Sequence, residues 1–382
     1  MQSLQAYLQQ QLDKREAQQQ LRRLRLNPSL ADFCSNDYLG LARSEELQSR
    51  VQRRRPTSLG STGSRLLSGN TALCEGMEKE LAAFHRAEAG LIFNSGYSAN
   101  LGLMSCIAGR QDTLLFDRLV HNSIRTGIRL SRARALGFAH NDVQDLAAKL
   151  KRVEGRKIVV VESLYSMNGD KAPLLEVVEV VRRHGAVLIV DEAHATGVYG
   201  PGGEGLVVAE GLEEEVFARI HTFGKAMACQ GAIVLGPEVL RAYLINFSAP
   251  FIYTTALPES SLWTVKEAYS YLKEKPELIG QLTQNIHYFR SCLNREAQEV
   301  LPDNDGPIQY IAVPGKAAVK QLAQRLRQRG YDVRPILPPT VPPGEERIRI
   351  CLHAFNSEEE MAGLATAINE LLPSILPIKE QL

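Results

Sequence analysis

The stretch LIVDEAHATGVYG, residues 188–200, decides how the chain is read. An apolar run ends in Asp191, and His194 follows within a turn, so both polar groups fall at the end of a strand. DEAH in that setting suits a nucleotide hydrolase, whose acidic pair holds Mg²⁺ beside ATP. It equally suits a carboxylate and an imidazole that serve some other ligand. A hydrolase also needs a phosphate cradle of the form GxxxxGK[ST]. Here Gly224-Lys225 is followed by Ala226, and no glycine stands five positions before Gly224. Lys+Arg 44 against Asp+Glu 43 leaves a net charge of +1, which gives no strong field for nucleic acid. A motor acting on nucleic acid is therefore excluded.

Working outward, strands and helices alternate from about residue 74 to 236. The strand candidates are 89–93, 113–117, 134–138, 157–163, 186–191, 219–223 and 231–235. Helical patterns at 74–86 and 173–185 lie between some of them, the second opened by Pro173 and closed by Gly185. Short apolar strands with helical crossovers predict an α/β fold with a large, mostly parallel, buried sheet. Ligands then sit beyond the carboxyl ends of the strands, where Ser166, Asp191, His194 and Lys225 fall.

A smaller α+β unit follows, with helices near 259–272, 276–298, 315–329 and 357–371 and strands near 307–313, 331–335 and 346–351. The expected division is an N-terminal helix and arm over 1–45, a large domain over 46–257 and a small C-terminal domain over 258–382. A helix is expected over 3–25, with Leu4, Leu8, Leu12 and Leu21 on a broken stripe. The five prolines between 335 and 343 predict an extended, stiff loop.

Apolar residues at 44% and charged residues at 23% are ordinary for a globular protein. Six scattered cysteines without a CxxC point away from a zinc or disulfide framework and towards a reducing, cytoplasmic compartment. No apolar leader opens the chain and no run approaches a membrane span, so neither secretion nor a membrane partner is expected. The basic residues Arg22, Arg23 and Arg25 read as a solvated face or, less simply, as an anion contact.

The chemistry gathers around Lys225, in HTFGKAMACQ. Its sequence neighbours are apolar, and an amine in apolar surroundings loses its proton more readily and can form a Schiff base. Alone, it also fits a surface loop. Asp191 supplies a carboxylate that could keep a pyridine nitrogen protonated, and lysine with aspartate is the pairing that pyridoxal 5′-phosphate requires. NSGYSAN, residues 94–100, offers a phosphate site: Ser95 as a cap, and the N–H groups of Gly96 and Tyr97 at a helix start. Thr222 could add a hydroxyl, and His121 could stack on a ring or be an ordinary helix-start residue.

Asp191-x-x-His194, Thr222-Phe-Gly-Lys225 and Ser95-Gly96-Tyr97 occur in one order and spacing. With SNDYLGL (35–41), YSMNGDKAPL (165–174) and VPPGEERIRI (341–350), they make the chain resemble, over nearly its whole length, the α-oxoamine synthases. These are fold-type I enzymes dependent on pyridoxal phosphate, with a seven-stranded sheet. The resemblance implies that Lys225 carries the cofactor, Asp191 pairs with its ring nitrogen, His194 touches its hydroxyl and His121 stacks on it. Ser166 would lie beside the ring, with Gly96, Tyr97 and Thr222 on the phosphate. Thr254 and Thr255 would reach the phosphate of a partner subunit, giving a homodimer with shared sites. Lys225, His121, Asp191 and His194 would carry catalysis, with no metal.

The implied reaction is decarboxylative condensation of an amino acid with an acyl thioester. Asn36 and Arg349 would hold the amino-acid carboxylate, although "ERIRI" alone also reads as a strand with exposed charges. Pro-Pro-Thr-Val-Pro (338–342) and FAHNDV (138–143) resemble the branch that joins L-alanine to a pimeloyl group carried on CoA or an acyl carrier protein. There Thr340 would contact substrate and Arg22 the acyl end. Leu337 departs from the pattern, which has arginine before Pro-Pro. Other branches using glycine or serine, and a noncatalytic scaffold that has lost its lysine, are the alternatives.

Overall fold

The computed structural model describes residues 3–18, 20–24, 26 and 29–376. Among these the largest sheet has seven strands. In chain order the strands of the protein are β1 (Ala31–Asp32), β2 (Ala89–Phe93), β3 (Thr113–Asp117), β4 (Arg134–Phe138), β5 (Lys157–Glu162), β6 (Val187–Asp191), β7 (Ala218–Thr222), β8 (Ala232–Gly236), β9 (Ile308–Ala312), β10 (Tyr331–Asp332), β11 (Arg334–Ile336) and β12 (Arg347–Cys351). The large sheet runs β2-β8-β7-β6-β5-β3-β4, and only β8 lies antiparallel to its neighbours. All seven expected strands form, within a residue or so of their predicted limits.

For most of them the reason is burial on both faces; β4, exposed at Arg134 and Ala135, is the exception. In β2 and β7 every residue is buried, which an alternating strand would not allow. Helices Ala72–Phe84, Gly96–Cys106 and Leu174–Arg183 cover the sheet; the first and third turn an apolar stripe inward, and the second buries Ala99, Leu103 and Met104 together with Asn100. Thr71 and Ser95 start the first two by accepting from the N–H groups of Cys74 and Ser98.

Register then places the chemistry. Glu162 at the end of β5 lies directly beside Asp191 at the end of β6, and Thr222 closes β7 two strands from β5. Beyond the sheet, β11, β12 and β9 form a small antiparallel sheet, and β1 pairs in parallel with β10. That pairing draws the segment after β1 against the C-terminal unit: Cys351 N–H donates to Phe33 O at 2.9 Å and Ala354 N–H to Tyr38 O at 2.8 Å.

Three expectations need correction. The first helix spans Leu4–Ala17, not 3–25, and buries no residue. Its leucines meet no core, so little beyond intrinsic propensity extends it; Gln19 and Arg25 lie outside the described residues. The helix expected over 276–298 divides into Glu277–Cys292 and Arg295–Glu299, because Asn294 caps the second piece by accepting from Ala297 N–H. The proline tract is not wholly extended. Arg334–Ile336 is a strand, and two turns follow, closed by Thr340 N–H to Leu337 O and Glu345 N–H to Pro342 O. The fixed φ of proline suits turn positions as well as extended chain.

Candidate active site

A cavity of about 280 Å³ opens beyond the carboxyl ends of β5, β6 and β7. Lys225 stands on its wall, in the tight turn that leaves β7: Ala228 N–H donates to Lys225 O at 2.8 Å, and Ala228 adopts φ +54°. The main influence on the amine is desolvation, which lowers its pKa to about 8 against the opposing pull of Asp191 and Glu162. A neutral, nucleophilic amine is therefore accessible near physiological pH.

Asp191 is buried and held at both oxygens. Oδ1 accepts from Ala193 N–H at 2.9 Å and Oδ2 from Asn100 Nδ2 at 2.7 Å. Glu162, its neighbour in register, accepts from the backbone N–H of His121. Burial, then the adjacent Asp191 charge, raise the Glu162 pKa to about 8. One carboxylate thus stays anchored while the other tends to keep its proton.

His194 is buried behind the cavity, with Nδ1 2.8 Å from the Tyr38 hydroxyl. Desolvation holds its pKa well below the usual imidazole value, so it is neutral. His121 starts the helix Asn122–Leu130 on another wall, its Nδ1 2.7 Å from Ser123 Oγ.

Arg349, on β12, closes the remaining side. The residue is 9% exposed, and its guanidinium donates to Ser166 O at 2.9 Å, Cys351 Sγ at 2.9 Å and Asn36 Oδ1 at 3.0 Å. All three acceptors are neutral, and no carboxylate pairs with it among the described residues. A buried cation so placed attracts an anion from the cavity.

The groups present fit a pyridoxal phosphate. The N–H groups of Gly96 and Tyr97 lie in the first turn of a helix, where no intrahelical acceptor exists. A Cβ on Gly96 would stand 2.9 Å from Thr222 Oγ1, so the glycine keeps a gap open between the helix start and β7. That gap, with Lys225 and Asp191 in the same cavity, matches a ligand that carries phosphate, aldehyde and ring nitrogen.

The structure brings together Asn36, Gly96, Tyr97, His121, Ser166, Asp191, His194, Thr222, Lys225 and Arg349 on one cavity. It does not bring four other expected residues there. Thr254 lines a separate small pocket beside Asn94, and the Thr255 carbonyl accepts from Asn94 Nδ2 at 2.7 Å. Arg22 and Thr340 line a larger surface cleft of about 1140 Å³, together with Leu337 and Pro338. Sequence reasoning missed Asn100, Ser123 and Tyr38. Asn100 lies one helical turn after Gly96, a spacing that could have found it; Tyr38 stands in SNDYLGL, but nothing in that stretch points to His194.

The aminotransferase class I and II family pattern matches residues 28–368. The 8-amino-7-oxononanoate synthase of Emericella nidulans is 42% identical over 386 aligned positions, covering 94% of this chain and 93% of that protein. A serine palmitoyltransferase solved with pyridoxal phosphate as its internal aldimine superposes with a TM-score of 0.87 at 26% identity, over 98% of this chain and 99% of the other. The 8-amino-7-oxononanoate synthase of Francisella tularensis superposes with a TM-score of 0.78 at 25% identity, over 91% and 99% of the two chains. With the fold-type I sheet and the cavity already described, the chain belongs to the aminotransferase class I and II family.

Proposed function

We propose that the chain is an 8-amino-7-oxononanoate synthase, joining L-alanine to a pimeloyl thioester and releasing 8-amino-7-oxononanoate, CO₂ and a free thiol. The observation that carries this reading is the meeting of Lys225, Asp191 and the carboxylate-free Arg349 on one cavity, in a chain 42% identical to a relative of that name. Pyridoxal phosphate, when bound, supplies an electron sink for negative charge on the carbon next to the substrate nitrogen.

Lys225 would hold the cofactor covalently, Asp191 would keep a proton on its ring nitrogen, and His194 would face its hydroxyl. His121 would stack on the ring, with Ser166 at its side and Gly96, Tyr97 and Thr222 on the phosphate. Arg349 and Asn36 would orient the alanine carboxylate. The Lys225 amine, once displaced, is poised by its lowered pKa to remove the Cα proton of alanine. His121 would assist the later loss of CO₂. Arg22 and Thr340 would meet the acyl end, and Thr254 and Thr255 would serve the site of a second copy in a cytoplasmic homodimer.

A second reading, with another amino acid or acyl chain, is favoured by Leu337 and by the likeness to serine palmitoyltransferase. Thiol and CO₂ release should be measured with alanine, glycine and serine against pimeloyl-CoA, pimeloyl carrier protein and longer acyl-CoAs. Alanine with a pimeloyl donor should give the highest kcat/KM; a preference for serine or glycine overturns the reading. A protein that takes up no pyridoxal phosphate would be a scaffold instead.

A further inference from the structure

Asn100, at the end of NSGYSAN, and Ser123 have no role in the proposed function, yet both line the cavity. Asn100, on the helix Gly96–Cys106, donates from Nδ2 to Asp191 Oδ2 at 2.7 Å and to Ser123 Oγ at 3.1 Å. Both amide protons are thereby used. The amide orientation follows from chemistry, because Asp191 Oδ2 is an acceptor that an amide nitrogen, not an amide oxygen, can meet. Asn100 Oδ1 is buried without a partner, so the side chain is held by what its nitrogen does.

Ser123 is fully buried. Its hydroxyl lies 2.7 Å from His121 Nδ1, and its backbone N–H donates to the same nitrogen at 3.3 Å. A nitrogen that faces an obligate backbone donor is an acceptor. The hydroxyl proton therefore turns to Nδ1, and the Ser123 oxygen keeps a lone pair for Asn100. Every bond from Asn100 through Ser123 to His121 then runs in one direction. Neutral His121 carries its proton on Nε2, which has no hydrogen-bond partner among the described residues.

We propose that Asn100 and Ser123 are positioning residues: Asn100 fixes the Asp191 carboxylate for the cofactor's ring nitrogen, and Ser123 holds His121 in its Nε2–H form. The inference rests on the proposed function. Because Asn100 donates on both sides, the chain transmits orientation and not protons; neutral His121 offers its Nε2–H as a donor, and a second proton can enter only at Nδ1, in place of the Ser123 donors.

The test compares wild type, Asn100→Ala, Ser123→Ala and the double variant. Apoprotein is titrated with pyridoxal phosphate and followed by absorbance; kcat and its pH profile are then measured on the loaded proteins, with Tm as a folding control. Wild type that binds no cofactor overturns the underlying reading and this inference with it. Given wild-type binding, Asn100→Ala should raise the cofactor Kd about tenfold, the scale of a lost hydrogen bond to a charged group. Ser123→Ala should leave that Kd within about twofold, lower kcat about tenfold and displace one limb of its pH profile. The double variant should lose less kcat than the product of the single losses, because a broken chain cannot be broken again. Independent, multiplicative losses, or a Ser123→Ala profile that does not move, overturn the inference. If Asn100→Ala fails to fold, the Ser123→Ala profile decides alone.

Discussion

Lys225 shows how one side chain is tuned by what surrounds it. Desolvation lowers its pKa to about 8, although Asp191 and Glu162 both favour the charged form. Below that pH the amine is protonated and cannot attack an aldehyde; above it the amine is free. Capture of pyridoxal phosphate by apoprotein should therefore speed up as pH rises from 7 to 9 and level off beyond (~8 being the turning point). Stopped-flow absorbance checks this, and a rate that is flat across the range rules it out. Arg349 leads to a second expectation. Replacing it with alanine removes the buried cation facing the cavity, so the alanine KM should rise on the order of a hundredfold, with a much smaller change in the thioester KM. Steady-state kinetics separate the two, and a larger effect on the thioester would move the carboxylate site elsewhere. At this scale the sequence was legible where chemistry sits just after a strand, as with Asp191, His194 and Lys225. Asn100, Ser123 and Tyr38 were not, because their meaning lies in contacts between segments far apart in the chain. Tyr38 meets His194 across 156 positions.

Elements were legible in proportion to their burial. Most strands of the large sheet carry short apolar runs buried on both faces, and they form where expected; β4, exposed at Arg134 and Ala135, is the exception. The first helix and the proline tract were misread because periodicity and composition do not report whether a core is present. One contact between elements has a pH consequence. His140, just after β4, meets Asp117 at the end of β3 at 3.0 Å and Asp170 in the loop after β5 at 2.6 Å. Desolvation opposes its charge, but the two carboxylates prevail and raise its pKa to about 9. A raised imidazole pKa stabilises the folded state fully below the unfolded value near 6.5, and this is lost as pH climbs through about 9. His140→Gln should therefore cost about 2–3 kcal/mol at pH 6 and much less at pH 10. Urea unfolding at the two pH values measures the difference. Equal losses at both would mean that the clamp acts by packing alone. Asp170 lies four residues from Ser166, whose carbonyl holds Arg349, so the same variant should also weaken amino-acid binding.

At the scale of the molecule, the cavity is assembled from both ends of the chain. Asn36 arrives with the arm that β1 pins to β10, Arg349 with the small sheet, and Lys225 and Asp191 with the large one. Thr254 and Thr255, like Arg22 and Thr340, do not reach the cavity of their own chain. If they serve a second copy, each site of a homodimer needs Lys225 from one chain and the threonines from the other. Two inactive proteins, Lys225→Ala and a Thr254→Ala/Thr255→Ala double variant, then have a defined behaviour when co-expressed with different affinity tags. In the mixed dimer both mutations fall in one site and the other is wild type, so the doubly purified species should recover about half the activity of a normal dimer. Intrachain threonines would instead leave both sites of the mixed dimer damaged, one by each mutation, and activity would stay at background. Kd titration of pyridoxal phosphate gives the same answer without turnover: one tight site per mixed dimer for the shared arrangement, none for the unshared one.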